Sequence, residues 1–250
     1  MEDLDRPREV AGAAEKILLD LHEFGFEWDG EIIHQSHREE SYRAALHSLR
    51  DRTLTFECSC SRSQLASEER YPGYCRDGPR NLKSSTAVRV RVEPGPIAFA
   101  DRIQGEIRQD VSAAVGDIIV QRRDRIMAYV LAVTVDDAAQ GITHIVRGAD
   151  LLDDTPRQIY LQQLLGFPLP RYAHVPVLVE NDGSKLAKSR SSRHLSRGTV
   201  QAQLIKVMKL LGLEPPPVLQ TEPISEVWRW AIHHWSIERV PKRLTLRSSS

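Results

Sequence analysis

The sequence predicts an α/β fold with a largely parallel sheet, a cysteine-bearing insertion and a helical C-terminal part. Three observations lead there. Segments with apolar residues at helical spacing alternate along the chain with short apolar or period-two segments. Cys58, Cys60 and Cys75 crowd into 18 residues beside a Gly/Pro-rich stretch that interrupts this alternation. Beyond Asn181, the remaining elements read as helices broken by Pro215-Pro216-Pro217.

In chain order, Val10, Ala14, Ile17, Leu18 and Leu21 predict a helix ending at Gly25. Ser36-His37-Arg38-Glu39 has the S-x-x-E form of a capping box and predicts a helix from about His37 to Leu49. Thr53 to Phe56 predicts a strand, Tyr71 to Pro79 a loop, and Ala87 to Val92, with its period of two, a half-exposed strand. The apolar runs Asp117–Val120 and Ala128–Val135 follow, joined by a charged turn at Arg122-Arg123-Asp124-Arg125. Asp136-Asp137 would then stand on a strand, where neighbours face opposite ways, so they are not expected to bind magnesium together. Gly141 to Val146 predicts another strand, and Thr155-Pro156 an N-cap and first turn for a helix reaching Leu164 or Leu165. Val175–Val179 reads as a strand, Asn181–Ser184 as a turn, and Val200–Leu211 and Ile224–Trp235 as helices.

At 250 residues, 41% hydrophobic and 27% charged, the chain makes one or two domains with a sizeable core and is not a disordered one. No apolar run approaches the roughly 18–20 residues of a membrane span. The acidic opening Met1-Glu2-Asp3-Leu4-Asp5 does not resemble a signal or transit peptide. Three cysteines without an export signal point to a reducing cytoplasm. The net charge of zero hides an asymmetry: Gly183–Ser250 holds 12 Lys/Arg against 4 Asp/Glu, and the preceding 182 residues hold 22 against 30. A basic end draws polyanions such as nucleic acid or nucleotide phosphates, the alternative being a solvated basic tail.

The C-x-C-x14-C spacing suits a structural zinc ion, which wants four tetrahedral ligands and favours sulfur. No histidine lies between Cys60 and Cys75, so Tyr71, Tyr74, a distant histidine or water must complete the set; three small buried hydrophobes are the alternative. Lys185 and Lys188, in Lys185-Leu186-Ala187-Lys188-Ser189, suit the grip of a polyphosphate, although such loops also occur as solvated surface.

Several motifs in order carry a resemblance. Glu2-Asp3-Leu4-Asp5-Arg6-Pro7-Arg8-Glu9 resembles the segment of class I glutamyl-tRNA synthetases that follows their first βα unit, and Phe26-Glu27-Trp28-Asp29-Gly30 and Gln35-Ser36 continue it. Val146-Arg147-Gly148-Ala149-Asp150-Leu151 is similar to the family's strand-end signature, and Lys185–Ser189 to its KMSKS loop. The likeness extends to shortened paralogues that keep the catalytic domain and lack the helical anticodon-binding domain. About 60 residues follow the lysine loop, too few for that domain. The cysteines also resemble the paralogues' zinc site, with Tyr71 as fourth ligand beside Cys58, Cys60 and Cys75.

The resemblance implies a Rossmann-like class I synthetase catalytic domain with a zinc-containing insertion and a helical C-terminal part. Its divisions would be a first catalytic half (1–52), the insertion (53–115), a second catalytic half with the lysine loop (116–195) and the helical part (196–250). It implies a monomeric cytoplasmic ligase that touches no membrane. This ligase would activate glutamate with ATP, accompanied by magnesium, and transfer it to the queuosine base in the tRNA(Asp) anticodon. Glu2 would bind the substrate ammonium, Arg147 a carboxylate, Tyr129 would line the pocket, and Lys188, assisted by Lys185, would meet the ATP phosphates. Arg147 as an ion-pair partner of Asp150, and Tyr129 as packing, are the structural alternatives. The functional alternatives are charging of the tRNA 3′ end and a non-catalytic, zinc-stabilised tRNA-binding module. None of the nine histidines stands in an H-x-G-H or H-x-G-S context, so a start upstream of Met1 is expected to supply the HIGH-type motif. Failing that, the chain would be a decayed gene product or a short, non-catalytic protein. A chain expressed from Met1 is expected to show no glutamate-dependent ATP–pyrophosphate exchange.

Overall fold

The computed structural model describes residues 1–5, 9–180 and 199–247. Seven helices and nine strands follow one another among them: α1 (Ala13–Glu23), α2 (Glu39–Asp51), β1 (Thr55–Cys58), β2 (Ala87–Val90), β3 (Pro96–Asp101), β4 (Gly105–Asp110), α3 (Val111–Ala114), β5 (Ile118–Gln121), α4 (Tyr129–Ala139), β6 (His144–Gly148), α5 (Thr155–Leu165), β7 (Arg171–Val175), β8 (Val177–Val179), α6 (Val200–Leu210), α7 (Ile224–His234) and β9 (Thr245–Arg247).

The sheets are mixed, which corrects the expectation of a largely parallel one. Strands β1-β2-β5 form an antiparallel sheet, β4-β3-β7-β6 a second sheet and β8-β9 a parallel pair. In the second sheet β3, β7 and β6 run parallel while β4 folds back antiparallel on β3. That hairpin follows from local chemistry: Asp101 Oδ1 accepts the N–H of Ile103 (3.0 Å) and Gln104 (2.8 Å), and Gly105 takes φ 91°, open to glycine without strain. The stretch 53–115 is thereby built into both sheets, through β2 on β5 and β3 on β7.

The main core lies where α2, α4 and α5 pack on the first sheet, with Tyr42, Leu46, Leu49, Val88, Val90, Ile118, Val120, Leu131 and Leu161 buried. Strand β2 is buried on both faces, not half exposed, because it is the central strand and Arg89 turns inward over the Tyr71 ring at 3.8 Å. The run Ala128–Val135 forms most of α4 and not a strand; its half-buried and exposed positions (Tyr129, Val130, Val133) are apolar like its buried ones, so it shows no amphipathic period. The expected capping box does not form. Ser36 lies in a 3-10 turn (Gln35–His37) ahead of Arg38, which takes the N-cap position of α2, and its hydroxyl donates to Asp3 Oδ2 at 2.7 Å. Thr155 is the first residue of α5, after Asp154 as N-cap, and its hydroxyl donates to the Leu151 carbonyl (3.0 Å). Trp228 and Trp230 pack in the α6–α7 cluster, where Trp228 Nε1 also donates to the Phe24 carbonyl (2.8 Å) and ties α7 to the end of α1.

Candidate functional site

Three side chains read from sequence, Glu2, Tyr129 and Arg147, come together. Arg147 stands near the C-terminal end of β6, Tyr129 opens α4, and Glu2 reaches them from the N-terminal segment. That segment is pinned from several sides. Gln35 N–H donates to the Met1 carbonyl (3.0 Å), the Ser36 N–H donates to Asp3 Oδ1 (2.9 Å), and Arg122 Nη1 donates to Asp5 Oδ2 (2.7 Å). Asp3 is brought down to about 2 because the Ser36 and His34 hydrogen bonds to its carboxylate outweigh the cost of burial.

Glu2 is exposed on one side, yet desolvation by its surroundings raises its pKa above the ordinary value, against the pull of the N-terminal ammonium, a hydrogen bond from Tyr129 and the charge of Arg147. Tyr129 is 37% exposed, and its hydroxyl is raised by burial and by the Glu2 charge. A fourth group, which the sequence reading set aside, joins them: Asp137, raised from 3.8 to about 6 by burial, against the attraction of Arg147 and with repulsion from Asp136 and Glu2 added. Glu2, Gln35, Asp136 and Asp137 line one cleft of about 380 Å³. Reading α4 as a strand hid Asp137; helical spacing separates the two aspartates differently. Asp136 is buried as a strut between α4 and α2, accepting from Gln35 Nε2 (3.1 Å), Arg38 Nε (2.7 Å) and the Tyr42 hydroxyl (2.8 Å), whereas Asp137 faces the cleft.

Arg147 is half-buried, and burial lowers its pKa. Its Nε donates to His174 Nε2 (3.1 Å), and its Nη2 to Thr155 Oγ1 (2.8 Å) and Gln158 Oε1 (2.7 Å). Asp150 adds attraction without being the main partner. A guanidinium held this way by neutral acceptors keeps its charge for a further anion. Lys185 and Lys188 lie outside the described residues.

The cysteines converge as a separate centre. The sulfurs of Cys58, Cys60 and Cys75 all lie within 4.8 Å of one another, with Cys60 and Cys75 at 3.5 Å, and the Cys58 thiol donates to the Tyr71 hydroxyl at 3.4 Å. Ligands at Zn–S of about 2.3 Å and tetrahedral angles stand about 3.8 Å apart, so three sulfurs and one phenol oxygen fit a small tetrahedral ion. Cys75 is brought down to about 6: burial would raise it, but backbone N–H groups of Arg80 and Ser59 and the side chains of Cys60 and Ser59 favour its thiolate. Gly116, at φ 77°, lets Tyr71 sit here, since a Cβ there would stand 2.2 Å from the Tyr71 carbonyl oxygen.

A cluster of three cysteines and a tyrosine, together with a separate site that gathers two carboxylates, a tyrosine and an arginine, marks a class of protein. Residues 1–220 match the family of class I tRNA synthetases (E and Q), catalytic domain, and the chain belongs to that family. It is 49% identical over 247 residues to the glutamyl-Q tRNA(Asp) synthetase of Pseudomonas aeruginosa, covering 98% of this chain and 84% of the relative. It is 47% identical over 251 residues to the protein of the same name from Aromatoleum aromaticum, covering 98% and 79%. In fold it is similar to a glutamate tRNA ligase from Elizabethkingia meningosepticum in complex with its amino acid (TM-score 0.78, 18% identity, 100% of this chain and 59% of that one). A glutamate-tRNA synthetase from Elizabethkingia anophelis gives a TM-score of 0.79 at 19% identity, over 100% and 60%. The chain thus spans about three fifths of the length of those two structures. No helix among the described residues is long and apolar enough to cross a membrane.

Proposed function

We propose that this protein activates glutamate with ATP and transfers it to the queuosine base in the anticodon of tRNA(Asp), acting as a monomer in the cytoplasm. The observation that carries the reading is the meeting of Glu2, Tyr129 and Arg147 at one sheet end, in a chain 49% identical to a glutamyl-Q tRNA(Asp) synthetase. Glutamate offers an ammonium and two carboxylates. Glu2, hydrogen-bonded by Tyr129, takes the ammonium, and Arg147 takes a carboxylate. The substrate's α-carboxylate attacks the α-phosphate of ATP, giving glutamyl-adenylate and pyrophosphate. A hydroxyl of the queuosine cyclopentenediol then attacks the activated carbonyl, and AMP leaves. Lys188 and Lys185 meet the ATP phosphates, which magnesium accompanies, and stabilise the charge that develops on pyrophosphate.

Cys58, Cys60, Cys75 and Tyr71 hold one zinc ion, which cross-links the 53–115 insertion and takes no part in the reaction. Elemental analysis is expected to give one zinc per chain, lost when Cys58 and Cys75 are replaced; a metal-free, fully folded protein overturns the assignment. Replacing Tyr71 with Phe tests the fourth ligand separately.

The reaction is tested with protein expressed from its intact genomic locus, labelled glutamate and tRNA(Asp) with and without queuosine. After nuclease cleavage, label is expected on the anticodon fragment of queuosine-containing tRNA alone. Label on the 3′-terminal adenosine supports a glutamyl-tRNA synthetase instead. Salt-dependent tRNA binding without adenylation supports a binding module.

A further inference from the structure

Behind Arg147, three adjacent parallel strands line up three side chains. β6 and β7 pair Arg147 with His174 in register, and β7 pairs with β3, which ends at Asp101. His174 and Asp101 are both 0% exposed, and His174 Nδ1 lies 2.6 Å from Asp101 Oδ2. The second carboxylate oxygen accepts the His174 backbone N–H (3.2 Å) as well as the two turn N–H groups. Burial alone would raise the Asp101 pKa, but these bonds, that of the His174 side chain foremost, bring it to about 2, so it stays an acceptor.

This geometry sets the imidazole tautomer. An ionised Asp101 can only accept, so the proton on its side of the ring must be on Nδ1. The Arg147 Nε–H can only donate, so Nε2 must carry a bare lone pair. Thr155, whose hydroxyl proton goes to the Leu151 carbonyl, offers Arg147 Nη2 a lone pair, and Gln158 turns Oε1 to the same nitrogen. In consequence the Gln158 Nε2 is left buried without a hydrogen-bond partner. An amide accepts such a cost where its carbonyl end is needed. The Tyr172 ring lies parallel to the imidazole (14°, 6.1 Å between centres) and under the guanidinium (5.7 Å), closing the last face.

We infer that Asp101 and His174 are positioning residues: Asp101 locks His174 as the Nδ1–H tautomer, and the bare Nε2, with Thr155 and Gln158, fixes the guanidinium plane of Arg147 for an anionic substrate group. The held edge is Nε–Nη2, and Nη1 is not part of the anchor. The consequence for glutamate rests on Arg147 binding a substrate carboxylate, as proposed; the anchor itself does not.

The test uses the full chain with ¹⁵N-labelled histidine and arginine. His174 is expected to carry its proton on Nδ1 and none on Nε2. The Arg147 Nε–H is expected to exchange with water at least about tenfold more slowly than in His174→Leu, the scale of one charge-assisted hydrogen bond. His174→Gln, whose amide can donate to Asp101 and accept from Arg147, restores slow exchange, and Asp101→Asn gives mixed tautomers and intermediate exchange. Glutamate, titrated into the same samples, is expected to bind about 10–100-fold more weakly to His174→Leu and within about threefold of wild type to His174→Gln, with ATP affinity unchanged. A proton on Nε2, or a folded His174→Leu protein with wild-type exchange and glutamate affinity, overturns the inference. If glutamate moves no Arg147 signal in wild type, the substrate reading of Arg147 falls, and the exchange data alone decide the anchor.

Discussion

Arg147 stands between two aspartates whose surroundings drive them in opposite directions. Behind it, Asp101 is fully buried yet held at about 2, because four N–H groups point at its two oxygens. In front of it, Asp137 is less deeply buried yet raised to about 6, because burial removes water and the Arg147 charge returns only part of the loss. Burial alone therefore does not decide a carboxyl's state; the donors that replace water do. The rear wall spends its hydrogen bonds on a fixed geometry. The front wall is a cleft lined by under-solvated carboxylates, the condition in which a substrate ammonium is welcome.

The contrast can be broken most forcefully from the rear. Asp101→Ala strands the His174 ring and three backbone donors in a dry interior, and a loss of about 3–5 kcal/mol in denaturant unfolding is expected. In wild type this contribution is present above the unfolded pKa near 3.8 and is lost only as pH falls through about 2. Arg147→Ala removes the charge between the two walls, and about a 100-fold weakening of glutamate binding is expected by titration, with little change for ATP.

The front wall answers with the opposite sign. Because folding raises Asp137 from 3.8 to about 6, the folded chain holds its proton more tightly than the unfolded one. Stability therefore falls as pH rises from about 4 to 6, and the full cost stands above 6. Asp137→Asn is accordingly expected to gain about 1–3 kcal/mol at pH 8 and nothing near pH 3.5, measured by thermal or denaturant melts. Equal stabilities at pH 8 would erase the difference between the two aspartates. The smallest effect belongs to Tyr129→Phe, which removes the hydroxyl facing Glu2 and is expected to weaken glutamate binding by about threefold to fivefold.

The front wall was largely legible in sequence, and the rear wall was not. Glu2 and Arg147 sit in short motifs with neighbours at telling separations, and the crowding of Cys58, Cys60 and Cys75 foretells their convergence. Helix α5 was readable from Thr155-Pro156 at its start, although Thr155 serves Arg147 and not the cap. Helix α4 was not, since a run that is apolar at its exposed as well as its buried positions carries no period to separate helix from strand. Asp101 and His174 lie 73 positions apart and neither stands in a motif, so nothing local marks them as partners.

The sequence by itself determined what depends on near neighbours: the cysteine cluster, the basic C-terminal part, most helix limits and the short motifs that hold Glu2 and Arg147. Only the tertiary structure decided which carboxylates meet donors and which lose water. It placed Asp101, His174 and Arg147 side by side through the register of β3, β7 and β6, and turned Asp137 to the cleft while Asp136 braces α2. The reason is physical: composition fixes how many charges a chain carries, but solvation and hydrogen bonding, which set their chemistry, are properties of neighbours in space.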